Sequence, residues 1–362
     1  MAVDAAEAVH EKFLAALASG SLARSADAPD PAAAGLSRAD ATDIFLSQLT
    51  SRQMDRLSRA LQARGEGFYT IGSSGHEGNA AVAAALRVTD MAFLHYRSNA
   101  FQLHRSRQRP GGTPTWDMLL SFAASSEDPI SGGRHKVIGS KPLAIPPQTS
   151  TIASHLPKAV GAAFSIGIAR RLGMEDGPLP DDAVVLASFG DASANHSTAQ
   201  GAFNTAGWSA FQGSPMPLIF LCEDNGIGIS TRTPTGWIEA QFRHRAGLHY
   251  IQCDGSDLVS AYAGAKEAAD YARRIHRSVY RDFLVDRLAL PVLVGLKTDQ
   301  ERFAGAVNTM TCEAMMGDGK ALQMATSHEL GQNFARAFGV DFLGPSGERE
   351  LAWTTSWGSS TR

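Results

Sequence analysis

The chain has 362 residues, with 33 Lys and Arg against 36 Asp and Glu, a formal net charge of −3. That near balance argues against a dedicated nucleic-acid binder, and 44% hydrophobic with 19% charged residues excludes disorder as the main state. The length suits about two domains, and three scattered cysteines, Cys222, Cys253 and Cys312, lack the pair spacing of a zinc cluster or a disulfide framework.

In chain order, Asp4 and Glu7 stand where a signal peptide needs basic residues, and no run of 18 apolar residues occurs. With reduced cysteines, this makes a cytoplasmic location the expectation. Ala8, Val9, Phe13, Leu14 and Leu17 predict a short amphipathic helix over about 5–19. A loose connector of Gly, Ser, Asp and Pro follows to about 40. Ile44, Phe45, Leu49, Met54, Leu57 and Leu61 then predict a helix from about Arg38 to Arg64, stopped by Gly65 and Gly67.

Farther on, short apolar runs alternate with helical stretches. Ala183–Phe189 and Pro217–Cys222 predict buried strands, His249–Cys253 a third, and 258–274 a helix. An Ala-rich helical stretch after Gly190 runs to about Trp208. This alternation predicts an α/β fold, an open parallel sheet flanked by helices. The last stretch, rich in Met and Thr and ending ELAWTTSWGSSTR, reads as antiparallel strand and halts without a cap. The division expected is a helical region over 1–66, an α/β domain over 67–274 and a distinct segment over 275–362.

The chemistry concentrates in SFGDASANHSTAQGAFNTAGWSAFQGSPMPLIFLCEDNGIGIS, residues 188–230. Gly190 follows a strand and opens a helix, so the backbone N–H groups near Ala192 and Ser193 are expected to face a phosphate. Asp191 and Asn225 follow successive strands and should converge at the carboxyl edge, where open α/β sheets bind ligands. A carboxylate, an amide oxygen, a backbone carbonyl and phosphate oxygens suit Mg2+. A Gly-Asp pair alone is an ordinary turn, so the joint pattern carries the reading.

That pattern, Gly190-Asp191-Ala192 followed by Asp224-Asn225, resembles the thiamine diphosphate motif of 2-oxo acid dehydrogenases. CEDNGIGIS looks like the alpha subunit of the branched-chain or pyruvate decarboxylating component. The resemblance extends over about residues 40–273. GFYTIGSSGHEGNAAVAAAL (67–86) is similar to the family's Gly-x-Glu-Gly segment, and His76 and Glu77 become candidate catalytic residues. MAFLHYRSNAF (91–101) implicates Tyr96 and Arg97 at the cofactor diphosphate. QTSTIASHLPKAVGAAF (148–164) places Ser150 and the Ile152 backbone near the cofactor. By the same mapping, Asp191, Asn225 and the Ile227 carbonyl hold Mg2+, with Gly190, Ala192 and Ser193 beside the diphosphate.

The resemblance implies oxidative decarboxylation of a 2-oxo acid, with a beta subunit in an α2β2-type assembly and a lipoyl carrier as partners. Ala192 departs from the usual Gly, and His95 from a common Gln. About five extra residues sit around Phe211–Pro215. The family's His-containing phosphate loop is absent, and the glutamate that activates the cofactor belongs to the beta partner. His95 and His155 read as structural histidines, and Cys222 as core.

Residues 279–362 resemble a catalytic-domain fragment of class II prolyl-tRNA synthetase, an incomplete α+β fragment. Gln323, Thr326 and His328 match its prolyl-adenylate pocket, and Ser360 and Arg362 the segment meeting the nucleotide. Motifs 1 and 2, expected upstream, are replaced by dehydrogenase-like sequence, and motif 3 would follow Arg362. Two alternatives to the dehydrogenase reading therefore stand: a proline–tRNA ligase fragment, with tRNA as partner under that reading alone, and a catalytically inactive chimera. Pro291–Gly295 is expected to extend the dehydrogenase sheet.

Overall fold

The computed structural model describes residues 5–22, 30–73, 75–134, 136–148, 150–172, 174, 179–180, 182–212, 214–277, 284, 288–344 and 347–359. The chain divides into two units, Met1–Arg277 and Ser278–Arg362.

The first unit opens with α1 (Ala5–Ser19) and α2 (Arg38–Ala63). Ser37 and Asp40 form a reciprocal capping box that fixes the start of α2, and Gly65, at φ +73°, lets the chain turn away after it. Then come α3 (Asn79–Ala85), β1 (Met91–Phe93), α4 (Asn99–Gln108), α5 (Pro114–Phe122) and the hairpin of β2 (Ile138–Ser140) with β3 (Ile145–Gln148). After α6 (Leu156–Arg171) follow β4 (Val185–Gly190), α7 (Ser197–Phe211) and β5 (Leu218–Glu223). The unit ends with the short hairpin of β6 (Ile227–Gly228) and β7 (Thr231–Arg232), then α8 (Trp237–Phe242) and α9 (Leu258–Arg277).

Three strands form a parallel sheet in the order β1-β4-β5, with Met91 opposite Val185 and Val185 opposite Leu218. Alternation along β4 separates two cores. Val185, Ala187 and Phe189 pack with Leu156, Val160, Ala163 and Phe203 of α6 and α7, while Leu186 packs with Val82, Phe101 and Ala269 of α3, α4 and α9. Helices thus cover both faces, the arrangement that a nearly continuous apolar strand requires. Asp90 anchors the second layer: buried, it accepts from Val184 N, Arg87 N and, in a very short contact, Arg273 on α9.

Two sequence expectations are corrected here. Residues 249–253 form no strand; His249 instead stacks on Tyr271 of α9 at 4.3 Å, and Arg243 lies over the Tyr250 ring. Side-chain contacts with neighbouring helices hold this stretch, and β5 stays at the sheet edge. The helix expected directly after Gly190 begins only at Ser197, because a 3-10 turn over Asp191–Asn195 intervenes.

The second unit contains β8 (Val292–Leu296), β9 (Asn308–Met315), β10 (Ala321–Gly331), α10 (Asn333–Phe338), the hairpin of β11 (Asp341–Leu343) with β12 (Arg349–Leu351), and β13 (Thr354–Ser359). Four of them form an antiparallel sheet in the order β13-β10-β9-β8. Its covered face packs Leu284, Cys312, Ala314, Met324 and Ala325. The expectation that Pro291–Gly295 extends the parallel sheet is therefore wrong. Val292–Leu296 pairs antiparallel with Ala314–Met310, on the next strand of the same unit, reached through residues 297–307. The closing TTSW run is the antiparallel strand its alternation suggests.

Candidate functional site

The carboxyl ends of β4 and β5 carry the first cluster. Asp191, buried at the end of β4, accepts from Ala192 N at 2.6 Å through Oδ1 and from Gly226 N at 2.8 Å through Oδ2. The second bond draws the Asp224–Ile227 turn against Asp191. Asn225 completes that turn by accepting from Ile227 N at 3.0 Å. Asp224 has its carboxyl raised above the ordinary range, first by burial and then by the charge of Asp191, to which it is hydrogen-bonded. Two acidic side chains at one turn, with an amide oxygen beside them, form an oxygen donor set that fits Mg2+. Among the described residues no group of three His, Cys, Asp or Glu side chains is placed to hold a metal alone. Non-protein oxygens would have to complete the shell, as is usual for Mg2+. The space is tight, since a Cβ on Gly228 would meet the Ala192 methyl at 2.4 Å.

A second cluster faces this edge from the loops before α3 and after β1. His95 stacks on His76 with centroids 4.8 Å apart and planes 5° from parallel, and its backbone N donates to Ser188 Oγ at 2.8 Å. Burial, and then the nearby His76, hold the His95 pKa well below its usual value, so this ring is neutral. His76 Nδ1 lies 3.5 Å from Glu223 Oε1 and has no hydrogen-bond partner among the described residues, while Asn79 donates to the same oxygen at 2.7 Å. His155 secures the loop before α6: its Nε2 is 2.7 Å from the Ser188 carbonyl. That loop carries Ser150 and Ile152, the latter partly exposed. Glu77 is engaged by Arg52 in a very short ion pair, by Gly75 N at 2.8 Å and by Ser73 Oγ at 3.3 Å. Arg97 lies over the Tyr96 ring at 5.2 Å and donates to the Gly72 carbonyl at 3.0 Å.

The second unit presents a different kind of site. Strict alternation would put Gln323 and Thr326 on opposite faces of β10, but the register shifts between Gln323 and Ala325. This bulge returns Gln323, Thr326 and His328 to one face, opposite Glu313, Thr311 and Thr309 respectively. His328 Nδ1 lies 2.9 Å from Thr309 Oγ1, under the Phe303 ring at 5.0 Å.

Comparison with known proteins finds likeness to two families. The sequence profile described as "Dehydrogenase E1 component" matches residues 46–288, two thirds of the chain. The chain belongs to that family. It is also 74% identical over 103 residues to a proline–tRNA ligase of Frankia alni, a match covering 28% of this chain and 22% of that protein. Proline–tRNA ligase 2 of Streptomyces avermitilis is 63% identical over the same length and shares. A crystal structure of prolyl-tRNA synthetase from Cryptosporidium parvum with L-proline and AMP is 42% identical, covering 24% of this chain and 19% of that one, at a TM-score of 0.22. The chain thus spans about a fifth of the length of the curated relatives it matches. Each likeness crosses the boundary between the units: the E1 match runs past Arg277, and 103 residues cannot fit within Ser278–Arg362.

Among the expected E1 residues, the structure ties Asp191 to the Asn225–Ile227 turn and brings His76 against His95 beside Gly190, whose added Cβ would lie 3.8 Å from His95 Nε2. The amide of Ala192, expected to face a phosphate, donates instead to Asp191. Gly190 and Ser193 flank it at the end of β4 and in the 3-10 turn. Ser360 and Arg362 lie outside the described residues. Sequence reasoning passed over Glu223, Ser188 and Lys136. Glu223 adjoins the Asp-Asn pair and was legible in that position; Ser188 and Lys136 join the cluster only through the fold. Among the described residues no helix is long and apolar enough to cross a membrane.

Proposed function

We propose that the first unit is the alpha-type half of a 2-oxo acid dehydrogenase E1 component, binding thiamine diphosphate with Mg2+ and working with a beta subunit. The observation that carries this reading is the Asp191–Gly226 hydrogen bond, which gathers Asp191, Asp224 and Asn225 at the carboxyl edge of a parallel sheet. Asp191, Asn225 and the Ile227 carbonyl would hold the metal. Tyr96 and Arg97, with Gly190, Ala192 and Ser193, would hold the diphosphate, and Ser150 and the Ile152 backbone the body of the cofactor. When bound, thiamine diphosphate supplies the nucleophilic carbon and the electron sink for loss of CO2 from a 2-oxo acid.

The protein's own share is positioning. His76, buried with its Nδ1 near Glu223 but not hydrogen-bonded among the described residues, is the group that would exchange a hydrogen bond or a proton with substrate. Glu77 holds the His76 loop through Arg52, Ser73 and Gly75. A beta subunit contributes the activating carboxylate, a lipoyl carrier accepts the acyl group, and the assembly is of the α2β2 type, in the cytoplasm. Calorimetric titration of Mg2+–thiamine diphosphate tests the reading. Weak heat is expected from the native chain and none from Asp191→Ala; equal heats from both overturn it.

A second reading has its own observation, the shared face of Gln323, Thr326 and His328. It is a fragment of a proline–tRNA ligase pocket, with dehydrogenase-like sequence standing where motif 2, whose arginine orients ATP and the substrate carboxylate in such enzymes, is expected. Proline-dependent ATP–pyrophosphate exchange is expected at background, which makes this part of the chain a catalytically inactive graft. Exchange above background would establish the ligase reading instead.

A further inference from the structure

Lys136 is buried beneath the Tyr96–Asn99 turn, against the Phe122 ring at 5.8 Å. Its Nζ donates to the Tyr96 carbonyl at 2.7 Å and to Asn99 Oδ1 at 3.2 Å. Arg97 flanks the same turn and donates to the Gly72 carbonyl. Among the described residues, then, two cations bracket Tyr96 and neither forms an ion pair. Both are satisfied by neutral oxygens, which fill hydrogen bonds without compensating charge.

The groups facing Lys136 are few. Asp55 on α2 favours its charge and Arg97 opposes it, while His95 nearby is held neutral chiefly by burial. Asp55 is turned toward Ser73, accepting from its N and Oγ. Burial dominates this balance and pushes the Lys136 amine down to about 7 from its ordinary 10.5. A negative charge arriving beside Arg97 would reverse the balance.

We infer that Lys136 is a proton-linked positioning residue of the diphosphate site, taking up a proton as a diphosphate binds beside Tyr96 and Arg97. The inference rests on the cofactor reading above and adds a residue that makes no contact with the ligand. Lys136 acts through the Tyr96 carbonyl and through its charge. The proton comes from solvent and stays on Nζ while the anion is bound, so no other bond changes. Binding is therefore tightest where the amine is already charged, and it weakens as pH rises through the window in which protonation must accompany binding.

The test is calorimetry on the full chain, with Mg2+–thiamine diphosphate and separately with Mg2+–diphosphate. Each titration runs in two buffers of different ionisation enthalpy, from about pH 7.5 to 9.5, where the ligand phosphates are already ionised. The native chain should take up close to one proton per ligand, with affinity falling up to about tenfold per pH unit. Lys136→Arg, permanently charged, and Lys136→Met, permanently neutral, should both bind without linked uptake. Native binding without uptake, or equal uptake in either variant, overturns the inference and leaves the cofactor reading intact. Absence of binding by both ligands overturns the two together.

Discussion

The two central strands of this molecule, β4 and β10, sit in sheets of opposite kinds and carry function in opposite places. β4 is covered by helices on both faces, so its side chains are given over to packing, and the polar chemistry gathers where the strand ends, at Gly190–Asp191. β10 belongs to an antiparallel sheet that packs Leu284, Cys312, Ala314, Met324 and Ala325 on one face and carries Gln323, Thr326 and His328 on the other, where Thr309, Thr311 and Thr326 are buried as well. A parallel sheet with apolar residues on both faces must place its site in the loops at its carboxyl edge, whereas an antiparallel sheet with one polar face can use the strand face itself. The same contrast appears in packing. Leu186 is 1% exposed, while Leu293 on edge strand β8 is 77% exposed.

That contrast is most sharply broken or upheld by a matched pair of truncations. Leu186→Ala removes a side chain enclosed by Val82, Phe101 and Ala269 and should destabilise the first unit by about 2–5 kcal/mol. Leu293→Ala should change the second unit by no more than about 0.5 kcal/mol. Hydrogen exchange of amides in β4 and in β9 reads the two units separately. Comparable losses from both substitutions would mean that Leu293 is covered in solution.

The difference between the sheets also explains what the sequence made legible. The strand-end site reads off contiguous residues, because Gly190-Asp191 and Asp224-Asn225 each follow an apolar run directly. The glycine stop after α2, at Gly65, is equally local. The pairing of β8 was not legible, since PVLVG fits a buried parallel strand as well as a strand of an antiparallel sheet, and only the nearby β9 decides between them. The HYIQC stretch misled because alternation alone does not distinguish a strand from a segment held by Tyr271 and Arg243. Lys136 escaped notice for a related reason. Its place beneath Tyr96 is set by the β2–β3 region folding against α4 and α5, and nothing around it in the chain announces a buried cation.

A smaller effect separates the units by pH. His95, His104 and His155, all in the first unit, are held below their ordinary value of 6.5, in each case chiefly by burial. The folded state therefore keeps these imidazoles neutral, while the unfolded chain protonates them near 6.5. Unfolding takes up protons as pH falls through that value, so stability is lost on acidification, from about pH 6.5 downward. Each group contributes up to about 1.4 kcal/mol per pH unit in that range. Urea unfolding followed in the first unit at pH 7.5 and 5.5 should show the midpoint falling, and a flat midpoint would remove the argument. His104 offers the cleanest dissection, because it lies away from the proposed cofactor site and its Nδ1 meets Ser47 Oγ at 3.1 Å. His104→Gln keeps a hydrogen-bond partner for that hydroxyl but cannot titrate. It should remove about a third of the acid dependence while leaving the midpoint at pH 7.5 nearly where it was. A slope unchanged by this substitution would place the acid sensitivity in His95 and His155, at the edge of the sheet where the proposed cofactor binds.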